Sequence, residues 1–174
     1  MASDKKTLEL LFESLNMKKV PRAGWKLRRA PHESLADHSF GAALCALALA
    51  RMERLSKEEE YSLLRRALFH DLHESRVGDL HKIARQYVKS DEKRAEREML
   101  SGTYFEPELS LLQNKRLDLL SHDSDKLDML LQAIDYANGG NRNMGEFFRS
   151  ALRQIKSKSG KKLARLALET KLKK

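Results

Sequence analysis

The scarcity of helix-breaking residues constrains the fold of this chain more than any other feature of its sequence. Only 8 glycines and 3 prolines occur in 174 residues. Between them, leucine and alanine return every three or four positions, the spacing that gives a helix one apolar face. Chains of this length usually form one core, so the sequence predicts an all-α, single-domain helical bundle over residues 1–174.

Most of the predicted helices have clear sequence signals at their ends. Ser56, with Glu59 three residues later, forms a capping box that begins one helix, and Gly78 is its predicted end. Two prolines and a glycine predict an ordered loop over residues 17–34. The first helix has a predicted buried stripe that consists of Leu8, Leu11, Phe12 and Leu15. The longest predicted helices cover residues 5–16, 35–55, 56–77, 123–137, 145–156 and 161–172.

Charge and cysteine content limit the partners and the compartment. Lys and Arg number 34 against 25 Asp and Glu, and the net charge of +9 favours anionic partners such as nucleotides, nucleic acid or acidic lipid. Cys45 is the only cysteine, and no apolar signal core follows a basic start, so we expect a cytoplasmic protein without disulfides. The longest apolar run, residues 40–50, is far shorter than the roughly 20 residues that cross a bilayer.

Ionisable residues crowd an otherwise apolar segment, ALFHDLHESRVGDL, at residues 67–80. His70 and Glu74 are one helical turn apart, and Asp71 lies three residues before Glu74, so the three side chains can face one side of a helix. Imidazole and carboxylate groups suit a divalent first-row metal ion, which commonly takes about four to six ligands. Other helices must therefore supply further ligands.

Two residues elsewhere in the chain are the best candidates for these ligands. His38 lies near the start of an otherwise apolar helix, and the periodicity of that helix predicts an inward orientation. Asp125 stands one turn before the apolar run of a later helix, with Asp123 and Asp128 as rivals. Taken singly, such residues are more often satisfied core groups or helix caps. Together they would leave several charges to desolvate, a cost that a bound cation removes.

Other histidines and other enzyme classes fit the pattern less well. As a metal ligand His73 is less suitable than His70, and we expect it behind the site or on the surface. Three other histidines are candidate ligands only because they lie near the motifs in the sequence: His32, His81 and His122. The order HDLHE matches neither H-E-x-x-H nor H-x-x-E-H, which argues against a zinc peptidase. The sequence has no G-x-S-x-G, Walker A or G-x-G-x-x-G segment. Metal-assisted hydrolysis remains.

Four segments, in this order, resemble the 5'-deoxynucleotidase branch of the HD-domain phosphohydrolase superfamily: VPRAGWKLR, ESLADHSFGAAL, ALFHDLHESRVGDL and DSDKLDMLLQAIDY. The resemblance implies a single HD domain with a motif-bearing core over residues 17–140 and C-terminal helices, residues 145–174, packed on it. It also implies a homodimer that removes phosphate from deoxynucleoside 5'-monophosphates with a transition-metal ion.

The same resemblance implies a role for each residue of the site. The metal ligands would be His38, His70, Asp71 and Asp125. Glu74 would transfer protons beside the metal, and Asp79 would assist near the substrate. Arg22 and Trp25 would lie against the nucleotide. A glycine is usual in the family where this chain has His73, and small residues are usual near Ser75 and Arg76, so the rim of the site can differ in shape or charge.

The predicted function is a metal-dependent phosphomonoesterase for (deoxy)nucleoside 5'-monophosphates, using Co, Mn, Zn, Ni or Fe. Two alternatives remain open: an HD phosphodiesterase for a larger or cyclic nucleotide, and a basic helical nucleic-acid-binding module with a structural metal site. The basic last helix suits a nucleic-acid or membrane contact, but its leucines favour packing on the domain. Trp25 is equally suited to stacking on a base and to anchoring its loop.

Overall fold

A computed structural model describes residues 2–110 and 114–171, and it confirms the predicted all-α fold. Residue 172, the predicted end of the last helix, lies outside the described residues. The α-helices are α1 (Ala2–Ser14), α2 (Ala23–Lys26), α3 (Leu35–Met52), α4 (Lys57–Phe69), α5 (Glu74–Val77), α6 (Glu92–Leu100), α7 (Lys115–Asn138), α8 (Gly145–Gln154) and α9 (Lys158–Lys171). Short 3-10 turns lie at Leu15–Lys18, Ala84–Gln86, Glu106–Ser110 and Arg142–Met144. Within the described ranges, no helix has both the length and the apolar character that a membrane span requires.

Helices α3 and α7 pack against each other at the centre of the molecule, and α4 packs on both. Alanine and leucine side chains fill this contact, among them the fully buried Ala46, Leu49 and Leu63. The small alanines of α3 allow its backbone to approach the neighbouring helices closely. Because α3, α7 and the turn that directly follows α4 carry the predicted metal ligands, this core fixes where those ligands lie relative to one another.

The two C-terminal helices also pack on the centre of the bundle, since α8 and α9 both contact α7. Leu163, Ala167 and Leu168 of α9 pack against the core that contains Leu130. Leu166 is 47% exposed. Most of the apolar face predicted for the last helix therefore packs on the bundle rather than facing outward.

Capping boxes fix the starts of α3 and α4. The Ser56 hydroxyl accepts a hydrogen bond from the backbone N–H of Glu59, and the Glu59 carboxylate accepts one from the backbone N–H of Ser56, as predicted. Ser34 and Asp37 form the same pair at the start of α3. This second box lies immediately before His38 and sets the first turn from which that side chain projects.

The predicted helix over residues 56–77 is wrong in its middle, because α4 ends at Phe69 and a turn separates it from α5. In this turn, backbone N–H groups such as that of Glu74 donate to the carbonyl three residues earlier instead of four. Over so short a segment, the sequence pattern of a turn with hydrogen bonds three residues apart resembles that of an α-helix with hydrogen bonds four residues apart. Gly78 ends α5 as predicted, with a φ of 77° that favours glycine.

One further boundary differs from the prediction. Helix α7 begins far before residue 123, because the Asn114 side chain caps it by accepting from the N–H groups of Arg116 and Leu117. This difference depends on local capping, to which apolar spacing is insensitive. The segment between α5 and α6 contains the 3-10 turn Ala84–Gln86.

The apolar stripe predicted to be buried on α1 is exposed instead. Helix α1 packs through Leu10, which is 4% exposed and contacts Met99 and Leu100 of α6. The exposed fractions of the stripe are 54% for Leu8, 49% for Leu11, 66% for Phe12 and 43% for Leu15. The periodicity identifies the apolar face of the helix correctly, but it does not reveal whether this chain covers that face.

Candidate active site

An open cleft of about 770 Å³ lies between residues 22–28, residues 79–85, α7 and α8. Its walls include four predicted site carboxylates, those of Asp71, Glu74, Asp79 and Asp125. Small-molecule sites usually occupy about 300–1,000 Å³, so the cleft has room for a ligand of nucleotide size.

Three of the four predicted metal ligands, His38, His70 and Asp71, present donor atoms within 4.8 Å of one another beside this cleft, and the fourth, Asp125, adjoins His38. Nε2 of His38 lies 3.3 Å from Nε2 of His70, 3.7 Å from Oδ2 of Asp71 and 3.4 Å from Oδ1 of Asp125. Nε2 of His70 lies 3.2 Å from Oδ2 of Asp71. The four residues come from α3, the turn after α4, and α7, so helix packing brings them together. That they bind a metal stays a prediction.

Each imidazole of the cluster uses its far nitrogen for another contact. Nδ1 of His70 lies 2.9 Å from the carbonyl oxygen of Ala67, and Nδ1 of His38 lies 2.7 Å from Oδ2 of Asp128. A neutral imidazole that donates through Nδ1 presents a lone pair at Nε2. Both lone pairs then point into a cluster that already holds two carboxylates, an arrangement that a cation stabilises.

The electrostatics of the cluster also favour positive charge. Burial lowers the pKa of His38, but the contacts with Asp125 and Asp128 outweigh it and raise this pKa to about 9. Burial likewise opposes ionisation of Asp71 and Asp125, yet the neighbouring imidazoles hold the pKa of each carboxyl below its usual value. Oδ1 of Asp125 is buried and accepts no hydrogen bond from any described residue. The donor set therefore fits a divalent ion.

The three aspartates near the middle of α7 have three different partners, which separates the rivals of the sequence interpretation. Asp125 faces the cluster, and Asp128 accepts a hydrogen bond from Nδ1 of His38. Asp123 is fully buried and accepts from two backbone N–H groups of the turn between α8 and α9, at 2.9 and 2.7 Å. Asp128 therefore orients His38, whereas Asp123 holds the C-terminal helices in place.

Gly41 allows this orientation, a role that the sequence interpretation missed. A Cβ atom at Gly41 would lie 1.8 Å from Oδ1 of Asp128, so α3 accommodates this carboxylate beside His38 only because position 41 lacks a side chain. Glycine inside a helix costs about 1 kcal/mol relative to alanine. A glycine in the otherwise alanine-rich helix α3 is the sequence signal that indicates such a close approach.

Glu74 has the surroundings of a proton-transfer group. Its side chain is 4% exposed and lines the cleft. Burial, followed by the negative charges of Asp71 and Asp79, raises the pKa of Glu74 to about 8. Oε1 accepts a hydrogen bond from Nη2 of Arg85 at 3.1 Å, whereas Oε2 is buried with no hydrogen-bond partner among the described residues. The predicted catalytic role of Glu74 is compatible with this geometry and stays a prediction.

Arg22 and Asp79 are linked through the short helix α2. The backbone N–H of Ala23 donates to Oδ2 of Asp79 at 2.6 Å, and Nη1 of Arg22 donates to Oδ2 of Asp71 at 3.0 Å. Asp79 thus fixes the start of α2, and Arg22 extends from there to the predicted metal ligand Asp71. Both residues line the cleft, as their predicted contacts with substrate require.

Trp25 is mainly an anchor of its loop. The indole is 3% exposed, and its N–H donates to the buried carboxylate of Glu33. The ring packs edge-on against Tyr136 at a centroid distance of 5.3 Å and lies 4.1 Å from the ring of Phe147. Because other aromatic rings already cover it, the geometry favours the anchoring interpretation. Trp25 also lines the cleft, and its predicted contact with the nucleotide stays a prediction.

The remaining histidines lie outside the cluster. His73 is 14% exposed, and its Nε2 lies 3.8 Å from a carboxylate oxygen of Glu92. His81 lines the cleft wall, His32 borders a separate hollow, and His122 is 46% exposed. His73 therefore contacts Glu92 rather than the predicted metal ligands, and its expected role behind the site or on the surface stays a prediction.

Comparison with known proteins identifies the family. A family model described as HD domain matches residues 15–167, which is most of the chain. The chain belongs to the HD-domain family. It is 31% identical over 136 residues to 5'-deoxynucleotidase HDDC2 of Dictyostelium discoideum, an alignment that covers 69% of this chain and 72% of that protein.

Solved structures give the same fold. A protein of Pyrococcus horikoshii matches with a TM-score of 0.75 and 29% identity, covering 96% of this chain and 99% of that one. The HD phosphohydrolase DatZ of cyanophage S-2L, bound to dA and one catalytic Zn²⁺ ion, matches with a TM-score of 0.60 and 15% identity over 94% of this chain and 96% of its own. The predictions of an HD domain and of a metal-dependent phosphohydrolase are confirmed.

Proposed function

We propose that the protein hydrolyses (deoxy)nucleoside 5'-monophosphates to nucleoside and phosphate. The observation that carries this proposal is the cluster of two imidazoles and two carboxylates beside a cleft that also contains Arg22 and the buried Glu74. The similarity to 5'-deoxynucleotidase HDDC2 supports a deoxynucleoside monophosphate as substrate.

The residues of the cleft provide the remaining chemistry. A divalent ion bound by His38, His70, Asp71 and Asp125 would polarise the phosphoryl group and lower the pKa of water toward neutrality. Arg22 holds phosphate oxygens through its paired N–H donors. The carboxylate of Glu74 accepts a proton from the attacking water, and the protonated carboxyl then donates one to O5' of the ribose as the P–O5' bond breaks. Asp79 keeps Arg22 in position through α2.

We propose a first-row transition-metal ion, chosen from Zn, Mn, Co, Ni and Fe, as the cofactor. Mixed imidazole and carboxylate donors suit these ions, whereas Mg²⁺ prefers oxygen ligands and retains water. The catalytic Zn²⁺ of DatZ makes zinc the first ion to test.

Phosphate release from a nucleotide panel tests the function. The panel contains the deoxynucleoside and ribonucleoside 5'-monophosphates, a 3'-monophosphate, a cyclic nucleotide and a short oligonucleotide, each assayed with every candidate ion and with a chelator. We expect metal-dependent release from the 5'-monophosphates, with deoxynucleotides as the better substrates. Release from the cyclic nucleotide or the oligonucleotide alone would replace this proposal with the phosphodiesterase alternative.

Salt dependence separates the enzyme from the nucleic-acid-binding alternative. Binding dominated by Lys and Arg contacts to phosphates weakens steeply, and log-linearly, with salt concentration. Monophosphate turnover should follow metal concentration and change much less with salt. Tight, salt-sensitive binding of oligonucleotide without any hydrolysis would support the binding module.

We propose that the protein is a homodimer that uses the exposed stripe of α1 as its interface. Contiguous apolar residues on a surface are typical of interaction sites, and a two-fold dimer places the same face of both chains in contact. We also propose that residues 17–140 and 145–174 form one domain, because α8 supplies a wall of the cleft. A cytoplasmic location is supported by the lone, buried Cys45.

A further inference from the structure

We infer that Arg85 is a positioning residue, which holds the carboxylate of Glu74 in the orientation required for proton transfer. The inference rests on the proposed function, because that function assigns proton transfer to Glu74. Arg85 belongs to the 3-10 turn after α5, outside the motif segments from which the site was predicted.

The guanidinium of Arg85 connects three groups. Nη2 donates to Oε1 of Glu74 at 3.1 Å, Nη1 donates to Oε1 of Glu92 at 2.9 Å, and Nε donates to the carbonyl oxygen of Leu80 at 2.7 Å. The planar guanidinium directs these donors rigidly, so the contacts with Glu92 and Leu80 determine where the third donor meets Glu74. Oε1 of Glu74 is thereby fixed, and the buried Oε2 keeps no hydrogen bond to a described residue.

Glu92, which accepts a hydrogen bond from Arg85, also lies close to His73. Glu92 lies in the first turn of α6, and its Oε1 also accepts a hydrogen bond from the Ser90 hydroxyl at 3.2 Å. Nε2 of His73 lies 3.8 Å from the other oxygen of Glu92. His73, Glu92, Arg85 and Glu74 therefore form a continuous chain of charged and polar contacts that links α5 to α6. His73 contributes at the Glu92 end of this chain of contacts.

A direct contact between Arg85 and the substrate is the competing explanation. The Arg85 side chain is 48% exposed and lines the cleft, as a phosphate-binding arginine would. The two explanations differ in what the removal of the guanidinium does. Loss of a substrate contact weakens substrate binding, whereas loss of a positioning contact lowers turnover through Glu74 alone.

Steady-state kinetics of Arg85→Met, Arg85→Lys and Arg94→Met distinguish these explanations. Arg94 is the matched control, since its Nε donates to Glu98 on the exposed side of α6, outside the cleft. For Arg85→Met we expect kcat to fall about 10- to 100-fold, with little change in KM or in metal affinity. Arg85→Lys should recover part of the loss, and Arg94→Met should match the wild type. A KM increase with unchanged kcat, or wild-type kinetics of Arg85→Met, would overturn the inference.

A double-mutant cycle adds the decisive comparison. In a Glu74→Gln background, Arg85→Met should cause no further loss of kcat, because its effect passes through the Glu74 carboxylate. A further loss as large as in the wild-type background would overturn the positioning role. The denaturation midpoints of the same four proteins provide a readout without substrate, and we expect them to be non-additive.

The kinetic and denaturation measurements together distinguish a failure of this inference from a failure of the proposed function. Absence of phosphate release by the wild-type protein would refute the proposed function. The denaturation cycle would then still test the contact, and additive midpoints would overturn it. Normal wild-type activity that Arg85→Met leaves unchanged would refute the inference alone.

Discussion

Two regions of this molecule reverse the usual rule that polar groups face water and apolar groups face the core. Near the cleft, His38 is 1% exposed and packed among carboxylates, whereas on α1 the side chain of Phe12 is 66% exposed. The buried cluster has the donor set of a cation site, and the apolar face of α1 is the interface that we propose for a second copy of the chain. The difference teaches that buried polar groups suit a small ligand, whereas an exposed apolar face suits a large surface.

The largest effect is expected from breaking the cluster itself. His70→Ala or Asp71→Ala removes a predicted ligand, and the stabilisation that a bound ion gives the transition state amounts to several kcal/mol. We expect turnover to fall by about a thousandfold or more, together with loss of bound metal measured by elemental analysis. Full turnover by either variant would remove that residue from the proposed ligand set.

A smaller loss, without loss of metal, is expected at Glu74. Proton transfer by a positioned side chain contributes about 10²- to 10⁴-fold to the rate of a reaction. Glu74→Gln keeps the shape of the side chain and should lower kcat within this range while metal content stays at the wild-type level. Wild-type kcat in this variant would contradict the proton-transfer role.

Asp128 and Asp123 of α7 provide a matched pair of variants, because only Asp128 contacts a predicted metal ligand. Asp128→Asn weakens the acceptor for His38, and changes to such supporting groups typically cost about 10- to 100-fold in metal affinity. Asp123→Asn should leave metal affinity unchanged but lower the free energy of unfolding, by about 1–3 kcal/mol, because it disturbs buried backbone hydrogen bonds. Calorimetric titration and denaturant unfolding measure the two effects. Equal effects of both variants on metal affinity would refute the distinction.

The smallest effect on activity is expected from the exposed face of α1. Changing Leu11 and Phe12 together to Asp should convert the dimer to a monomer in sedimentation experiments, because two charges would be buried in an apolar interface. Turnover should change little, since neither side chain lines the cleft. Leu166→Asp, at an exposed position of α9, is the control. A wild-type monomer, or a dimer that survives the double substitution, would contradict the proposed interface.

The sequence identified candidate ligands more readily than the groups that support them. His38, His70, Asp71 and Asp125 stood out because polar groups in apolar segments are unusual. The structure brings His38, His70 and Asp71 together with Asp125 beside His38, and that they bind a metal stays a prediction. In the sequence Asp125 has Asp123 and Asp128 as rivals, because spacing alone cannot show which side of the His38 ring each carboxylate meets. The structure places Asp125 near Nε2 and Asp128 near Nδ1.

Other features depend on geometry that apolar spacing does not contain. The break after Phe69 depends on a local change in hydrogen-bond spacing. Arg85 lies on a 3-10 turn with no motif around it, so its contact with Glu74 becomes visible only in three dimensions. The exposure of α1 depends on which helices reach it, and its own sequence carries no signal of that.

The central claim is that one divalent ion, held by the four-residue cluster, is required for phosphate release. The most direct test is a titration of metal-free protein with zinc, in which metal bound per chain and phosphate released from a deoxynucleoside 5'-monophosphate are measured in the same samples. We predict that activity rises in proportion to bound metal and reaches its plateau near one ion per chain. Full activity in the metal-free protein, or no activity with the cluster fully occupied by any of the proposed ions, would contradict the account.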